Sequence, residues 1–419
     1  MRAPIERRPD FADLMIGLAC GLAMLSTLLV LGAMPFLPGL SGGRDYIIYW
    51  ATGQQLAHHG NPYDAAIMRQ YEHAAGFEGA PSLVNYMRNP PWALPLALPL
   101  GYVGARAAAL PWSLAMMALL ALSVRILWQM FGRPGTHLDW LGYCFPPALL
   151  CVIMGQTSLL VLLGFVLFLR LQRTRPFWAG AALWFCLLKP HLLAPFGVVL
   201  LVWIAASRSY RVLAGLASAL AASCALTTAI DPAAWGQYLH WARTSGISTE
   251  FLPCMSVALR NAIDPGTAWI AFVPCALGCA WALVHWWQRR ARWDWLDHGV
   301  LVVLVSMLVA PYAWFYDQSL ALPALLYGAA KTQSRMLLAA LAGIYMMVLL
   351  QPLYTKPESG WYVWPAVAWV GWYWLARRGT ETPVSSPQFP VASPRSPVVR
   401  ETGCQQTGPM TEMGNRRGH

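Results

Sequence analysis

A chain of 419 residues that is 57% hydrophobic and only 11% charged could not stay dispersed in water, so a soluble globular protein is excluded and the sequence reads as a polytopic membrane protein. The formal net charge of +11 does not call for nucleic acid, because most arginines fall in short loops between apolar runs, where cytoplasmic retention places them. The nine cysteines show neither ligand spacing nor a paired framework, which argues against a zinc site and a disulfide scaffold.

Arg2, Arg7 and Arg8 put residues 1–13 on the cytoplasmic side, and the apolar run 14–37 is long enough to span as a retained helix. An outer segment, 38–104, follows. After the turn Ser41-Gly42-Gly43, Asp45 opens a helical pattern in which Asp45 and Tyr49 share a face at i, i+4, continued by Gly53 and Leu56 and closed by Gly60 and Pro62. A second short helix reads from Asp64 to about Ala75. Both are too polar to span and are expected along the outer surface. A carboxylate at a helix N-terminus is held as the anion by the dipole and suits a general base; the same position also suits a plain N-cap. Asn89-Pro90-Pro91, Pro95 and Pro99 preclude a regular helix over 91–103 and point to a kinked or re-entrant segment. Arg88 fits either a phosphate partner or an interfacial anchor.

If the remaining basic clusters are all cytoplasmic, crossings pair off between them: 14–37 with 105–127, 141–154 with 158–170, 177–188 with 191–206, 211–229 with 267–287, 298–312 with 318–330, and 335–352 with 361–376. That gives roughly 12 transmembrane helices with both ends inside. The membrane domain is 14–376, with a second outer loop at 230–266, and the Pro-, Ser- and Thr-rich segment 377–419 reads as a disordered cytoplasmic tail.

Three outer turns carry chemistry. Gln156, in Gly155-Gln156-Thr157-Ser158, brings a side-chain amide to a helix break. Lys189-Pro190-His191 puts a cation and a switchable donor between two apolar runs; the pair suits a phosphate, and Lys189 also suits a snorkelling helix end. Tyr312-Ala313-Trp314-Phe315-Tyr316-Asp317 adds aromatics and an acid that also fits an N-cap. Taken singly, Gln156 and Asp317 are turn residues; their shared side of the membrane with Asp45, Arg88, Lys189 and His191 raises the functional reading. Arg260 and Asn261 read as solvated loop residues, and His285 and His298 as packed near the inner ends. The chain has no Walker loop, dinucleotide glycine fingerprint, HExxH or Asp-x-Asp pair, so an activated donor would carry its energy in a lipid rather than a nucleotide.

The ordered set Asp45-Tyr-x-x-Tyr49, Gly60-Asn-Pro-Tyr63-Asp64, Asn89-Pro90-Pro91, Gly155-Gln156, Lys189-Pro190 and Trp314-x-x-Asp317 resembles glycosyltransferase family 87, within the integral-membrane GT-C superfamily. The resemblance, over about 14–375, is to polyprenyl-phosphate-mannose-dependent α-1,2-mannosyltransferases. It implies an all-α GT-C fold, inverting transfer of a sugar (mannose by family analogy) from a polyprenyl-phosphate donor, and action at the outer face of a bacterial plasma membrane. It carries the catalytic base onto Asp45 and a donor-phosphate role onto Lys189, extended to His191, and Gln156 and Asp317 match family positions. Beside the resemblance, Arg88 is expected by its charge to join the donor phosphate, and Tyr49, Asn89, Gln156, Tyr316 and Asp317 are the expected substrate contacts. The expected partners are the lipid-linked donor, a glycolipid or glycan acceptor and membrane lipids. No metal or other cofactor is expected, because no metal-ligand spacing is visible. The alternatives are a transporter or flippase of a lipid-linked sugar, disfavoured by the lack of an internal repeat, and the same fold transferring a pentose such as arabinose.

Overall fold

A computed structural model describes residues 10–33, 45–76, 87–132, 137–245, 251–355 and 359–378. They fall within one compact unit, Met1–Glu381. The turn expected at 41–43 and the tail from 379 onward, expected to be disordered, lie outside the described residues.

All regular structure among the described residues is helical. The elements used below are α1 (Phe11–Ala33), α2 (Tyr46–Ala57), α3 (Ala65–Ala74), α4 (Ala105–Phe131), α5 (Pro146–Met154), α6 (Ser158–Leu171), α7 (Pro176–Ala182), α8 (Ala194–Ser207), α9 (Tyr210–Ile230), α10 (Ala234–Thr244), α11 (Met255–Ile263), α12 (Val273–Arg289), α13 (Val300–Leu308), α14 (Leu322–Lys331), α15 (Arg335–Leu350) and α16 (Trp364–Arg378). Each of the twelve segments expected to span is helical, most of them with ends within a few residues of those expected. Among the described residues, six helical stretches suffice by length and apolarity to cross a membrane, or seven if the pair His137–Tyr143 and Pro146–Met154, bent by 42°, counts as one span; Ser158–Leu171, Pro176–Leu188 and Trp295–Leu308 are apolar but shorter.

The outer helices carry the lipid-facing pattern. On α1, Leu14, Leu18, Leu22, Leu25 and Leu29 are exposed, while Ala12, Ile16, Ala19, Cys20, Ala23 and Thr27 are buried on the opposite face toward α15. Hydrocarbon solvates the leucines as well as protein would, so small residues gather where backbones approach. Glycine does the same between α7 and α9: a Cβ on Gly180 would lie 1.8 Å from the Val212 carbonyl oxygen, and one on Gly215 would lie 1.9 Å from that of Phe177.

Residues 91–102 form two short 3-10 turns, Pro91–Leu96 and Leu98–Tyr102, as the proline density requires. The segment is embedded in protein, which irregular backbone at membrane depth needs. Ser223 and Thr227 of α9 donate to the carbonyls of Trp92 (2.6 Å) and Pro91 (2.8 Å), and the Trp92 indole donates to the Leu187 carbonyl at 2.9 Å.

The helix α2 does not rest on a surface by one face: nine of its twelve residues are buried. Several of its polar side chains bond within the protein, while the Thr52 hydroxyl is buried without a partner among the described residues. Gln54 Nε2 donates to the Gly101 carbonyl at 2.8 Å, Trp50 Nε1 to the Val103 carbonyl at 2.8 Å, and the Tyr46 hydroxyl to the Ala105 carbonyl. The contact closes glycine on glycine, since a Cβ on Gly53 would lie 2.3 Å from the Ala97 oxygen and 2.6 Å from the Gly101 nitrogen. Helix α3 is the amphipathic one, capped by the Asp64 carboxylate and burying Met68 and Glu72.

Helix polarity sorts charge. Ser158 opens α6 and Arg170 lies in its last turn; Asp317 precedes α14 and Lys331 ends it; α16 ends on Arg377 and Arg378. Fourteen residues of α6 put about 21 Å between the two ends.

Candidate active site

Local rules that break helices build the pocket. Helix α5 ends on Gly155 at φ 73°, with Gly155 N–H bonded to the Val152 carbonyl and Gln156 N–H to the Cys151 carbonyl, a Schellman closure. That turn swings Gln156 off the helix axis. Pro190 disfavours the helical region for Lys189, whose φ/ψ of −137°/67° splits two 3-10 turns, Leu183–Leu188 and Pro190–Leu193. A third 3-10 turn, Phe315–Ala321, is held by the Asp317 carboxylate reaching back to the Trp314 N–H at 2.8 Å. Asp317 is thus three residues inside the turn rather than its N-cap.

The three breaks and the start of α2 meet at one cavity. Its wall includes every residue singled out in the sequence for chemistry: Asp45, Tyr49, Arg88, Asn89, Gln156, Lys189, His191, Tyr316 and Asp317. Tyr238, Tyr312 and Trp314 complete it. Tyr238 escaped the sequence reading altogether. It reaches the pocket from α10, where it stacks on Trp241 (ring centroids 5.6 Å apart) and meets Tyr63 at 5.4 Å; nothing local to α10 marks it.

A hydrogen-bond chain links the two acids. Lys189 Nζ lies 2.8 Å from Asp317 Oδ1, 2.9 Å from Ser158 Oγ and 3.1 Å from Gln156 Oε1. Those three bonds use all three ammonium hydrogens, so a direct phosphate contact would have to displace one of them. The Ser158 hydroxyl in turn donates a hydrogen bond to Asp317 Oδ1. Asp317 is therefore engaged on both oxygens and is 1% exposed, and its contacts are those of a counter-ion rather than of a ligand for substrate. Removing one member of such a buried pair typically costs about 3–5 kcal/mol. Gln156 Oε1 also accepts from the Tyr49 hydroxyl at 3.2 Å, and Gln156 Nε2 donates to Asp45 Oδ2 at 2.8 Å.

Asp45 occupies the N-cap position of α2 but caps nothing: its φ/ψ is helical and its side chain makes no cap bond. The carboxylate instead faces the pocket, held by Gln156 and by the Tyr316 hydroxyl. Burial pushes its pKa above the ordinary carboxylate value, against the opposing pull of the Gln156 and Tyr316 bonds and the charges of Lys189 and Arg88. Desolvation thus outweighs the dipole stabilisation expected of a helix N-terminus. Burial likewise pushes the Tyr49 hydroxyl up to about 12, so it stays protonated and able to donate.

The other expected residues take varied places. Asn89 Nδ2 donates to the Leu188 carbonyl at 2.8 Å and its own carbonyl accepts from Tyr63, so its amide nitrogen braces the backbone just before Lys189. His191 stacks face to face on Tyr312 with centroids 3.8 Å apart, and its Nε2 is buried without a hydrogen-bond partner. Lys189 Nζ lies 5.0 Å above the Tyr316 ring. Arg260 is 2% exposed rather than solvated, because it faces into the packing at the end of α11. His285 and His298 pack against Trp281 and Trp293 far along the chain from this turn. Among the described residues, no three His, Cys, Asp or Glu side chains gather as a metal-ligand set.

Fold and pocket together define a polytopic helical membrane protein with a charged, aromatic-lined cleft at the helix breaks. Residues 86–311 match glycosyltransferase family 87, more than half of the chain, and the chain belongs to that family. It is a membrane glycosyltransferase. The matched stretch contains Arg88, Asn89, Gln156, Lys189 and His191; Asp45, Tyr49, Tyr316 and Asp317 lie outside it in sequence and beside it in space. No curated protein and no solved structure matches the chain.

Proposed function

We propose that this enzyme transfers a sugar, mannose in the first instance, from a polyprenyl-phosphate donor to an acceptor hydroxyl at the outer face of a bacterial plasma membrane, with inversion at the anomeric carbon and without a metal. The observation that carries the reading is the asymmetry of the two pocket acids. Asp317 is consumed by Lys189, Ser158 and the Trp314 N–H, whereas Asp45 faces the cavity with a raised pKa and, among the described residues, only neutral hydrogen-bond donors on its carboxylate. One available carboxylate suits a single displacement, in which a base takes the acceptor proton as the hydroxyl attacks. A double displacement would require a second carboxylate as nucleophile.

In this mechanism Asp45 removes the proton from the acceptor hydroxyl. The oxygen attacks the anomeric carbon from the side opposite the phosphate, and the sugar–phosphate bond breaks to release polyprenyl phosphate. Arg88 and His191, both in the cavity wall, hold the leaving phosphate, and the Lys189 charge stabilises it through space. Tyr238, Tyr312, Trp314 and Tyr316 offer faces for the sugar rings. The polarity of α6 and α14, with pocket residues just before one end and arginine or lysine at the other, supports an outward-facing site, and the arginines that end α16 support a cytoplasmic C-terminus.

The test is transfer in membranes expressing the chain, offered polyprenyl-phosphate-mannose and polyprenyl-phosphate-arabinose labelled in the sugar. The reading expects label from the mannose donor in a new product, with an α linkage formed from the β donor. Transfer from arabinose alone would favour the pentose alternative. Label that moves across the bilayer still attached to its lipid, with no new product, would make the protein a carrier.

A further inference from the structure

The most connected cluster in the molecule contains a cation to which the mechanism above gives only a long-range part. Lys189 is 8% exposed, and its ammonium ends on three oxygens from two other breaks: Gln156 Oε1 and Ser158 Oγ flanking Thr157, and Asp317 Oδ1 of the turn before α14. An ammonium is donor-only, so whatever part of the Gln156 amide faces it must be the oxygen. The Tyr49 hydroxyl, which shares Gln156 Oε1, reinforces that choice. With Oε1 committed, Nε2 is the atom left to face Asp45, and it does so at 2.8 Å. The amide is thereby polarised in one sense, from ammonium to amide to carboxylate. A neutral residue at 189 would remove the charged donor on Oε1 and leave Tyr49 alone to hold it, making easier a flip that turns the oxygen toward a protonated Asp45 and takes away its donor.

We propose that Lys189 is a positioning residue that acts on Asp45 through Gln156, locking the amide so that it always donates to the catalytic carboxylate, with Ser158 and Asp317 anchoring the ammonium in place. This rests on the assignment of Asp45 as the base. The fold supports it locally. Pro190 takes Lys189 out of helical conformation, and Asn89 and Trp92 clamp the carbonyls of Leu188 and Leu187 just before it, so its backbone is fixed on both sides. The groups that bear on Asp45 come from every neighbouring element: Arg88 from the segment before the 3-10 hairpin, Lys189 from its break, Tyr316 from the turn before α14, and Tyr49 from α2 itself. Of these, Lys189 also fixes the orientation of a neutral partner on Asp45.

The experiment compares pH profiles of sugar transfer from polyprenyl-phosphate-mannose for the wild type, Lys189→Met and the double variant Lys189→Met/Asp317→Asn. The double variant leaves no lone buried charge and keeps the test valid should the single variant fail to fold. In the single variant, loss of the charge and a weaker hold on the amide's donor both favour protonated Asp45; in the double variant, where the Asp317 charge goes as well, the amide's donor is what changes. The acid limb is therefore expected to move upward in both variants, by about one pH unit, a tenfold loss on that limb, in the single variant, with plateau kcat lowered and the donor KM at the alkaline plateau unchanged. A wild-type profile in the double variant would mean that Lys189 and Asp317 serve only the fold, and would overturn the proposal. So would an unshifted limb with a raised donor KM, the signature of a lysine that grips the donor phosphate directly. An Asp45→Asn chain that kept its activity would strike the base assignment instead, a different outcome read in the same assay.

Discussion

Asp45 differs from an ordinary helix-capping aspartate because of what surrounds it. A carboxylate in water titrates near 3.9, and a helix N-terminus would lower that further. Here burial wins, and the pKa rises although two hydrogen bonds and two cations pull it down. A base acts deprotonated, so the acid limb of kcat/KM is expected above the ordinary carboxylate range, with transfer lost as pH falls through it. A profile flat down to about pH 4 would mean that the titrating base is another group. The sequence already held the candidate, since Asp45 and Tyr49 at i, i+4 after a glycine turn are visible without coordinates. It could not show that the cap bond is absent and that Gln156, 111 residues away, takes its place.

At the scale of elements, the site depends on how closely α2 lies on the 3-10 hairpin. Gly53 and Gly101 let the two backbones touch, and the Trp50, Gln54 and Tyr46 bonds fix the register that aims Asp45 at the cavity. Gly53→Ala would place a methyl 2.3 Å from the Ala97 oxygen, which is backbone and cannot rotate away. The expected outcome is a loss of about 1–3 kcal/mol, seen as a lower thermal midpoint in detergent, together with reduced transfer. Gly17→Ala on α1, where a Cβ meets nothing within 4 Å, is the matched control and should leave both unchanged. Element boundaries were largely readable, because Gly155, Pro190 and the prolines of 90–99 interrupt helices by chemistry that is local. The placement of α2 was not. Its glutamines and threonine suggested a surface, whereas nine of its twelve residues are enclosed and Gln54 finds its acceptor on the hairpin.

At the scale of the molecule, helical breaks distant in the chain converge because the helices between them run out and back, so that turns at one end become neighbours. Charge sorting along the helices made that end recognisable in advance: basic residues close α6 and α14, and the breaks at 155–158 and 314–317 sit at the opposite ends. This is why a set chosen from turns in the sequence lines a single cavity. The pairing within the set was hidden. The bond from Lys189 to Asp317 spans 128 residues and that from Ser158 to Asp317 spans 159, and no local pattern encodes partners at such a distance. Tyr238 arrived unseen for the same reason. The central claim is that a lipid-dependent transferase works from Asp45. It is tested most directly by transfer from radiolabelled polyprenyl-phosphate-mannose in membranes carrying wild type or Asp45→Asn at matched protein levels. The account predicts a labelled product with the wild type and at least a hundredfold less with the variant, the usual scale for losing a general base. Equal labelling by both would contradict it.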